Sequence, residues 1–402
     1  MSRYIIEEVV EGHSVFKDRA KLSIDYVPSK LPHREEEYRL LTHWFRPVLE
    51  NPRSQSLRVV IRGKIGSGKT VLSRRFGMDV EAYAQEQKVK LLYTYVNCRL
   101  EGSFFNVIKF VIRDRLKKTF PGRGYSAEEA LHVLMEILDD EDLYLILALD
   151  ELESIIRREG SDPVYAFTRI QEERDRLAPR LSLISIFREP DCEDLLETLD
   201  KSTLGTLQKN IIRLDEYSTK QLEDILSDRA EEAFYPSSLD HETISLIADI
   251  VGARGDARYA IELLERAGVY ADTDLSTQVL PEHARKAAAT VYPGVELETL
   301  DRLDTHQKLL LLAIARRLKH SKAAYTTTGE VEEFYRLACE EYSKEPRGHT
   351  QLWKYLNDLS YDGLILAKIS GEGVRGKTTL IGLPGIPAEA LEHEIQRAMK
   401  AA

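Results

Sequence analysis

The sequence predicts an α/β nucleotide-binding domain with a parallel sheet, followed by an all-α domain and a C-terminal winged-helix domain. Three observations lead to this fold class: a glycine-rich octet between a strand and a helix, alternating strand and helix patterns as far as about residue 215, and a helix-turn-helix followed by a hairpin. A chain of 402 residues is long enough for two or three domains. The predicted divisions are a lightly structured lead-in over 1–25, the nucleotide-binding domain over 26–215, the helical domain over 216–292 and the winged helix over 293–402.

Composition excludes several classes of protein. No run of 18 apolar residues occurs, which excludes a membrane-spanning helix, and the start of the chain has no signal-peptide pattern. The three cysteines, Cys98, Cys192 and Cys339, are too scattered for a disulfide scaffold or a zinc site, and they indicate a reducing cytoplasm. The net charge of −11 argues against a uniformly basic coat for nucleic acid but leaves room for a local basic surface.

The glycine-rich octet at residues 63–70 fits the pattern G-x-x-x-x-G-K-[ST], with a predicted strand over 57–61 before it and a predicted helix over 71–84 after it. Glycines let successive backbone N–H groups point at phosphate oxygens, and the helix N-terminus adds partial positive charge. We expect Lys69 to contact the β- and γ-phosphates and the Thr70 hydroxyl to ligate Mg²⁺. The alternative is a glycine-rich turn that binds nothing. The predicted nucleotide contacts are Lys64, Ile65, Gly66, Ser67, Gly68, Lys69, Thr70 and Val71.

An apolar stretch over 143–149 is followed directly by Asp150 and Glu151. Such a stretch is typical of a central parallel strand, and its carboxyl end is where open α/β sheets bind ligands. We expect Asp150 to hold Mg²⁺ and Glu151 to act as the general base that polarises the attacking water. The alternative is that both carboxylates only cap the next helix. The predicted cofactors are thus ATP or ADP, with Mg²⁺.

Further strands are predicted over 90–97, 181–187 and 209–214, with helices in the gaps. Residues 218–290 contain helical patterns only, which predicts a separate all-α domain. Its expected helices are Lys220–Ala233, His241–Val251 and Asp256–Tyr270.

The C-terminal region has the pattern of a winged helix. A capping box at 327–330 opens a helix over Glu330–Glu341, and a second helix is predicted over His349–Tyr361. On the second helix an apolar stripe should face the core, and the opposite face carries side chains suited to phosphates and base edges. The stripe consists of Leu352, Tyr355, Leu356 and Leu359, and the opposite face of Thr350, Gln351, Lys354 and Asn357.

Two short strands over 365–369 and 377–381 should form a hairpin whose tip contains three glycines, Arg375 and Lys377. A flexible basic tip suits contact with phosphates, so the region is predicted to bind double-stranded DNA through these two cations. The alternative is a winged helix used only for protein contacts.

The order of these parts resembles the archaeal origin-recognition and cell-division-control initiator family, a branch of the AAA+ ATPases, over nearly the whole chain. The most specific stretches are 26–37, the phosphate loop, Asp150 with Glu151, 255–258 and 346–380. Members of that family bind replication origins, hold ADP or ATP and help to recruit or load the minichromosome-maintenance helicase. The implied partners are origin DNA, that helicase and a paralogous initiator, with no membrane partner, and the implied location is cytoplasmic and nucleoid-associated.

The resemblance also implies roles for further residues. It makes Arg258 the sensor-2 arginine that reaches the γ-phosphate from the helical lid, with Tyr259 beside it; the alternative is a surface residue at a helix start. It places a DNA contact at Arg123 in the turn over 120–126, where a plain turn is the alternative. The implied adenine contacts are Tyr26, Val27, Leu31, Pro32 and Arg34.

Two departures from the family pattern predict slow hydrolysis. Arg188 stands where the family usually places an asparagine, and 199–203 lacks the usual trans-acting arginine, for which Lys201 is a poor substitute. We therefore expect an ATP-dependent replication initiator that acts as a nucleotide-gated switch with weak ATPase activity. The alternatives are a winged-helix signalling ATPase, or a DNA-binding paralogue that regulates transcription or replication.

Overall fold

The computed structural model of the chain divides into two compact units, residues 27–216 and residues 1–26 with 217–402. No helix in the described part of the chain is long and apolar enough to cross a bilayer. The structure describes residues 12–122, 124–174, 177–192, 194–195, 204–205, 207, 209–291, 300, 302–369 and 378–401.

The first unit is built on a five-stranded parallel sheet with the strand order β2-β3-β4-β1-β5. The predicted parallel sheet is confirmed, and the short stretch near residue 210 does form the fifth strand. The strands are β1 Arg58–Gly63, β2 Leu91–Asn97, β3 Tyr144–Asp150, β4 Leu181–Arg188 and β5 Ile211–Leu214.

Helices cover both faces of this sheet, which explains why its strands are continuous apolar runs. On β3, Leu145, Leu147 and Leu149 belong to one core cluster, and the alternating Tyr144, Ile146 and Ala148 belong to another. All seven residues of β3 are buried as a result. The helices are α1 Glu35–Glu50, α2 Lys69–Glu86, α3 Cys98–Glu101, α4 Phe104–Phe110, α5 Ala127–Asp140, α6 Glu153–Glu159 and α7 Asp162–Glu173.

The strand register brings the carboxyl ends of the central strands level with one another. Asn97 is paired with Asp150 across β2 and β3, and Gly63 is paired with Arg188 across β1 and β4. Chain segments that leave these strands therefore meet at one edge of the sheet, where the phosphate loop and the acidic pair both begin.

The second unit contains the lid, whose helices are α8 Thr219–Ala233, α9 His241–Gly252, α10 Ala257–Thr273 and α11 Pro281–Val291. The first three match the predicted helices, and α11 is an addition. Residues 12–26 pack on this region: Val15 and Leu22 are buried in its core, and the Val15 N–H donates to Asp272. The part of the predicted lead-in that the structure describes thus completes the core of the lid.

The winged helix forms the remainder of the second unit, with a three-stranded antiparallel sheet in the order β6-β8-β7. The predicted helix-turn-helix and hairpin are confirmed. The first helix of the helix-turn-helix begins at Thr328, two residues before the predicted start, because Thr327 is the N-cap residue of a capping box with Glu330. The elements are α12 Thr305–Ser321, β6 Thr326–Thr327, α13 Thr328–Glu341, α14 His349–Tyr361, β7 Leu366–Ile369, β8 Thr379–Gly382 and α15 Ala388–Ala401.

A buried arginine joins the lid to the winged helix. Arg285 on α11 is fully buried, and one of its terminal nitrogens donates to the carbonyls of Ala323 and Ala324 at 2.9 and 2.8 Å. Its other terminal nitrogen is 2.9 Å from Glu282, whose second carboxylate oxygen accepts from the N–H of Ala388 at 2.7 Å. The segment before β6 and the first residue of α15, Ala388, are therefore both tied to α11.

A second contact reaches the base of the wing. Lys368 on β7 lies 2.6 Å from the carboxylate of Asp249 on α9 and donates to the Ser245 hydroxyl at 3.1 Å. The ammonium also sits 4.1 Å from the ring centre of Tyr325, whose hydroxyl donates to the same carboxylate. One carboxylate of the lid thus holds both a wing strand and the segment before β6.

Candidate nucleotide site and DNA-binding surface

The phosphate loop has a backbone that requires its glycines. Gly66 and Gly68 have φ angles of 74° and 94°, a region that side-chain-bearing residues rarely adopt. A Cβ on Gly63 would lie 2.3 Å from the Leu214 carbonyl oxygen, so any larger residue there would push the loop off the sheet. The motif residues are thus placed by backbone geometry, and the helix that follows begins at Lys69.

The Lys69 ammonium is held against the backbone of the phosphate loop. Its ammonium donates to the carbonyls of Gly63 and Lys64 at 2.7 and 2.6 Å. These bonds keep the cation beside the backbone groups that would surround a phosphate chain. The neighbouring Lys64 points elsewhere, since its exposed ammonium lies 3.0 Å from the Glu216 carboxylate.

Thr70 and Asp150, the predicted Mg²⁺ ligands, are in direct contact. The Thr70 hydroxyl donates to an Asp150 carboxylate oxygen at 2.6 Å, and the Tyr95 hydroxyl donates to the same oxygen at 2.8 Å. Asp150 is only 5% exposed, so its orientation is fixed by these donors. A hydroxyl and a carboxylate at this spacing match the oxygen ligands that Mg²⁺ prefers.

Glu151 follows β3 with a positive φ of 53°. Its N–H donates to the other oxygen of Asp150 at 2.9 Å, and its half-exposed carboxylate lies 3.9 Å from Arg99. The alternative that the acidic pair caps the next helix finds no support, since α6 begins at Glu153 and its N-cap position is Leu152. The side chain of Glu151 is partly exposed, so a water molecule can come within hydrogen-bond reach of it.

Glu153 is a third carboxyl of this region, which the sequence analysis did not single out. It is 7% exposed, and burial raises its pKa to about 7, with the charges of Glu151 and Asp150 adding to the shift. Among the described residues, no hydrogen-bond donor reaches its Oε2. A third acid two residues after Glu151 was the available signal, but sequence alone did not show that it is buried.

The raised pKa of Glu153 predicts a pH-dependent stability. A carboxyl with a higher pKa in the folded than in the unfolded chain costs nothing below its unfolded pKa, and the full cost, about 3 kcal/mol, is present above pH 7. In nucleotide-free, Mg²⁺-free protein, Glu153→Gln should therefore raise the free energy of unfolding at pH 8 by about 2 kcal/mol and clearly less at pH 5. Denaturant unfolding at both pH values measures this.

The matched control is Glu136→Gln on the exposed face of α5, which should change stability little at either pH. Equal effects of Glu153→Gln at pH 5 and pH 8 would contradict the burial argument.

Arg188, at the position of the expected asparagine, is the last residue of β4 and is already paired. Its Nε lies 2.7 Å from an Asp191 carboxylate oxygen, which a second guanidinium nitrogen also contacts. The Asp191 carboxylate raises the pKa of Arg188, so the guanidinium stays charged while Asp191 offsets that charge. An arginine has only donors, so unlike an asparagine amide it cannot also accept a hydrogen bond from a water molecule.

Arg34, a predicted adenine contact, forms hydrogen bonds that hold the phosphate loop in place. It is buried, its Nε donates to the Ser67 carbonyl at 3.1 Å, and a terminal nitrogen donates to the Asp215 carbonyl at 2.5 Å. It thereby clamps the phosphate loop to the segment after β5. Val27, Leu31 and Pro32 of the same segment are half-buried.

Three predicted nucleotide contacts lie in the second unit. The hydroxyl of Tyr26 donates to Glu232 at 2.7 Å, and the Arg229 guanidinium lies 4.8 Å from its ring centre. Arg258 is exposed in the first turn of α10, and the N–H of Tyr259 donates to the N-cap carboxylate of Asp256 at 3.1 Å. The roles of Tyr26, Arg258 and Tyr259 toward a nucleotide stay predictions.

On α14 the predicted division of faces is present. Its buried residues are the four of the apolar stripe, and Thr350, Lys354 and Asn357 are exposed, with Gln351 half-exposed. Arg123, Arg375, Lys377 and the segment 199–203 lie outside the described residues, so their proposed roles stay predictions.

Two family models match the chain. The Cdc6 AAA+ ATPase-type lid domain matches residues 223–289, and the CDC6 C-terminal winged helix domain matches residues 298–393. The ORC1-type DNA replication protein 2 of Sulfurisphaera tokodaii is 36% identical over 99% of this chain and 96% of its own length.

Three solved structures of related proteins are similar to this chain over nearly its whole length. Cdc6p from Pyrobaculum aerophilum is 35% identical over 96% of this chain and 99% of its own, with a TM-score of 0.86. The ORC1 protein of Aeropyrum pernix, solved in complex with DNA, is 30% identical over 95% and 97%, with a TM-score of 0.62. The ORC2 protein of the same organism, solved as ADPNP-ADP complexes, is 25% identical over 96% and 99%, with a TM-score of 0.64.

The nucleotide-binding sheet, the lid, the winged helix and these full-length similarities place the chain in one family: it belongs to the archaeal Orc1/Cdc6-type replication initiators, AAA+ proteins with a helical lid and a C-terminal winged helix.

Proposed function

We propose that this chain is an ATP-dependent initiator that binds origin DNA, helps to recruit or load the replicative minichromosome-maintenance helicase, and switches state with its bound nucleotide. The observation that carries the proposal is the combination of a complete phosphate loop, with Thr70 hydrogen-bonded to Asp150, and a winged helix in one chain. A paralogous initiator is a further proposed partner.

The nucleotide chemistry follows from the side chains at the sheet edge. Lys69 would offset the β- and γ-phosphate charge, and Thr70 with Asp150 would hold Mg²⁺. A magnesium ion bound there would neutralise charge that develops on the transferred phosphoryl group. Glu151, half-exposed beside this pair, would orient and polarise the attacking water. The ADPNP-ADP complexes of the Aeropyrum relative support adenine nucleotides as the ligands.

Hydrolysis should be weak, because the chain supplies few groups that stabilise the transition state. Arg188 is engaged with Asp191, and the family's trans-acting arginine has no equivalent in 199–203 of the sequence. Slow turnover suits a switch, since a bound state that persists gives time for DNA and helicase to assemble.

Nucleotide state would reach the DNA through the lid. Arg258, the proposed γ-phosphate contact, is on α10, and the lid is joined to the winged helix through Arg285 and Lys368. A lid that moves toward the γ-phosphate would carry the winged helix with it. The buried hydrogen bonds of Arg285 and the ion pair of Lys368 would have to break for the two to move separately.

DNA binding is proposed for α14, for the wing tip with Arg375 and Lys377, and for Arg123 of the first unit. The structure of the Aeropyrum ORC1 protein in complex with DNA supports DNA as a ligand of this chain. Arg375→Ala with Lys377→Ala should weaken binding to many sequences alike and reduce the slope of log affinity against log salt by about two units. Titration of a labelled duplex by the variant protein, at salt concentrations from roughly 50 to 300 mM, measures both effects.

The matched control is Arg397→Ala with Lys400→Ala on α15, which removes the same charge from the same region. An unchanged salt slope in the wing variant would leave the winged helix as a protein-contact module. Genome-wide footprinting separates the regulator alternative: binding concentrated at promoters rather than at replication start sites would overturn the initiator assignment.

A further inference from the structure

The exposed face of α14 carries a large aromatic side chain that the phosphate and base-edge contacts above do not use. Trp353 lies in the first half of this helix and is 60% exposed, next to the exposed Lys354. An indole is among the largest apolar groups in proteins, and tryptophan is enriched at interfaces because its ring combines an apolar face with a polar N–H.

The neighbours of Trp353 define the chemistry of that contact. Thr350, Lys354 and Asn357 are exposed on the same helix, and all are of types that hydrogen-bond to phosphates or base edges. The buried stripe on the other side of α14 fixes which way this face points. In helix-turn-helix proteins, residues in the N-terminal part of the second helix contact base edges in the major groove.

One base presents an apolar group in that groove. The 5-methyl group of thymine is exposed at the major-groove edge, and apolar side chains contact it while the other edges offer only donors and acceptors. We infer that Trp353 packs against thymine 5-methyl groups and thereby determines part of the sequence preference of the winged helix; this rests on the proposed DNA-binding function.

Uracil provides the test, since it pairs like thymine but lacks the methyl group. A duplex selected from a random pool by the full-length protein is prepared with thymine and, separately, with uracil. The unchanged protein should bind the uracil duplex more weakly, by about fourfold for each methyl group contacted. Trp353→Ala should bind the thymine duplex more weakly and should bind both duplexes equally.

The matched control is Leu337→Ala on α13, which truncates another apolar side chain of the winged helix that is also 60% exposed. This variant should keep the full preference for thymine. A second readout comes from fluorescence, because the chain has two tryptophans and Trp44→Phe leaves Trp353 as the only indole. Saturation with the thymine duplex should then quench the emission and shift it.

The outcomes separate the inference from the function on which it rests. A Trp353→Ala variant that still prefers thymine, or a Trp353 emission that does not respond to saturating DNA, overturns the inference. Equal DNA binding by the variant and the unchanged protein would assign the indole to a protein partner instead. If the full-length protein selects no duplex, the DNA-binding function itself fails.

Discussion

Lys69→Ala should bind ATP and ADP roughly a hundredfold more weakly, or not at all, while its thermal unfolding stays close to that of the unchanged protein. Lys69 is the cation placed beside the phosphate positions by its bonds to Gly63 and Lys64. Its loss therefore removes charge compensation at the β- and γ-phosphates, whereas the loop conformation rests mainly on Gly63, Gly66 and Gly68. Isothermal titration with each nucleotide measures the effect.

Two variants of the same site serve as controls. Lys64→Ala keeps the backbone N–H that the loop offers to a phosphate and removes only a side chain that pairs with Glu216, so nucleotide affinity should change little. Glu151→Gln should keep nucleotide affinity but lower any measurable hydrolysis by roughly a hundredfold, because the amide cannot accept a proton from water. Normal ATP affinity in Lys69→Ala would refute the phosphate-loop assignment.

Arg285→Leu should lower the free energy of unfolding of the lid and winged-helix unit by about 3 kcal/mol. The substitution leaves the carbonyls of Ala323 and Ala324 without the donor that they share, and it removes the partner of Glu282. Leucine fills less of the space and offers no hydrogen bond, so the desolvation cost of the carbonyls is not recovered. Hydrogen exchange of α11 and of the segment before β6 measures the local loss.

The control is Arg266→Leu, which removes an arginine from the neighbouring helix α10. Arg266 is exposed and pairs with Glu262 within the same helix at 2.8 Å, an arrangement worth about 0.5 kcal/mol. An Arg285 variant no less stable than the Arg266 variant would show that the junction does not depend on this residue.

The sequence predicted those parts of the molecule whose local residue pattern is typical of one element. The run before Asp150 is typical of a strand buried on both faces, and its two core clusters confirm this prediction. The octet predicted the loop because its glycines allow the tight backbone path, as the positive φ values of Gly66 and Gly68 illustrate.

What the sequence did not predict depends on contacts between distant segments. Arg285 looks like an ordinary polar residue of a helix, and only the fold brings two carbonyls from 38 and 39 residues away to its side chain. The sequence also did not show that the Arg34 side chain donates to carbonyls of the phosphate loop and of the segment after β5, while its adenine contact stays a prediction. The burial of Glu153 likewise follows from packing around β4 and α6, which no local pattern contains.

The carboxylate of Asp249, which holds both Lys368 and Tyr325, has a thermodynamic consequence for the switch proposed above. If the anchored lid couples the affinity for nucleotide to the affinity for DNA, that coupling must be equal in both directions. If ATP tightens DNA binding by some factor, DNA tightens ATP binding by that same factor. Chromosomal DNA would then slow the loss of ATP. Protein molecules bound to DNA would keep their ATP, while those free in solution would exchange their nucleotide.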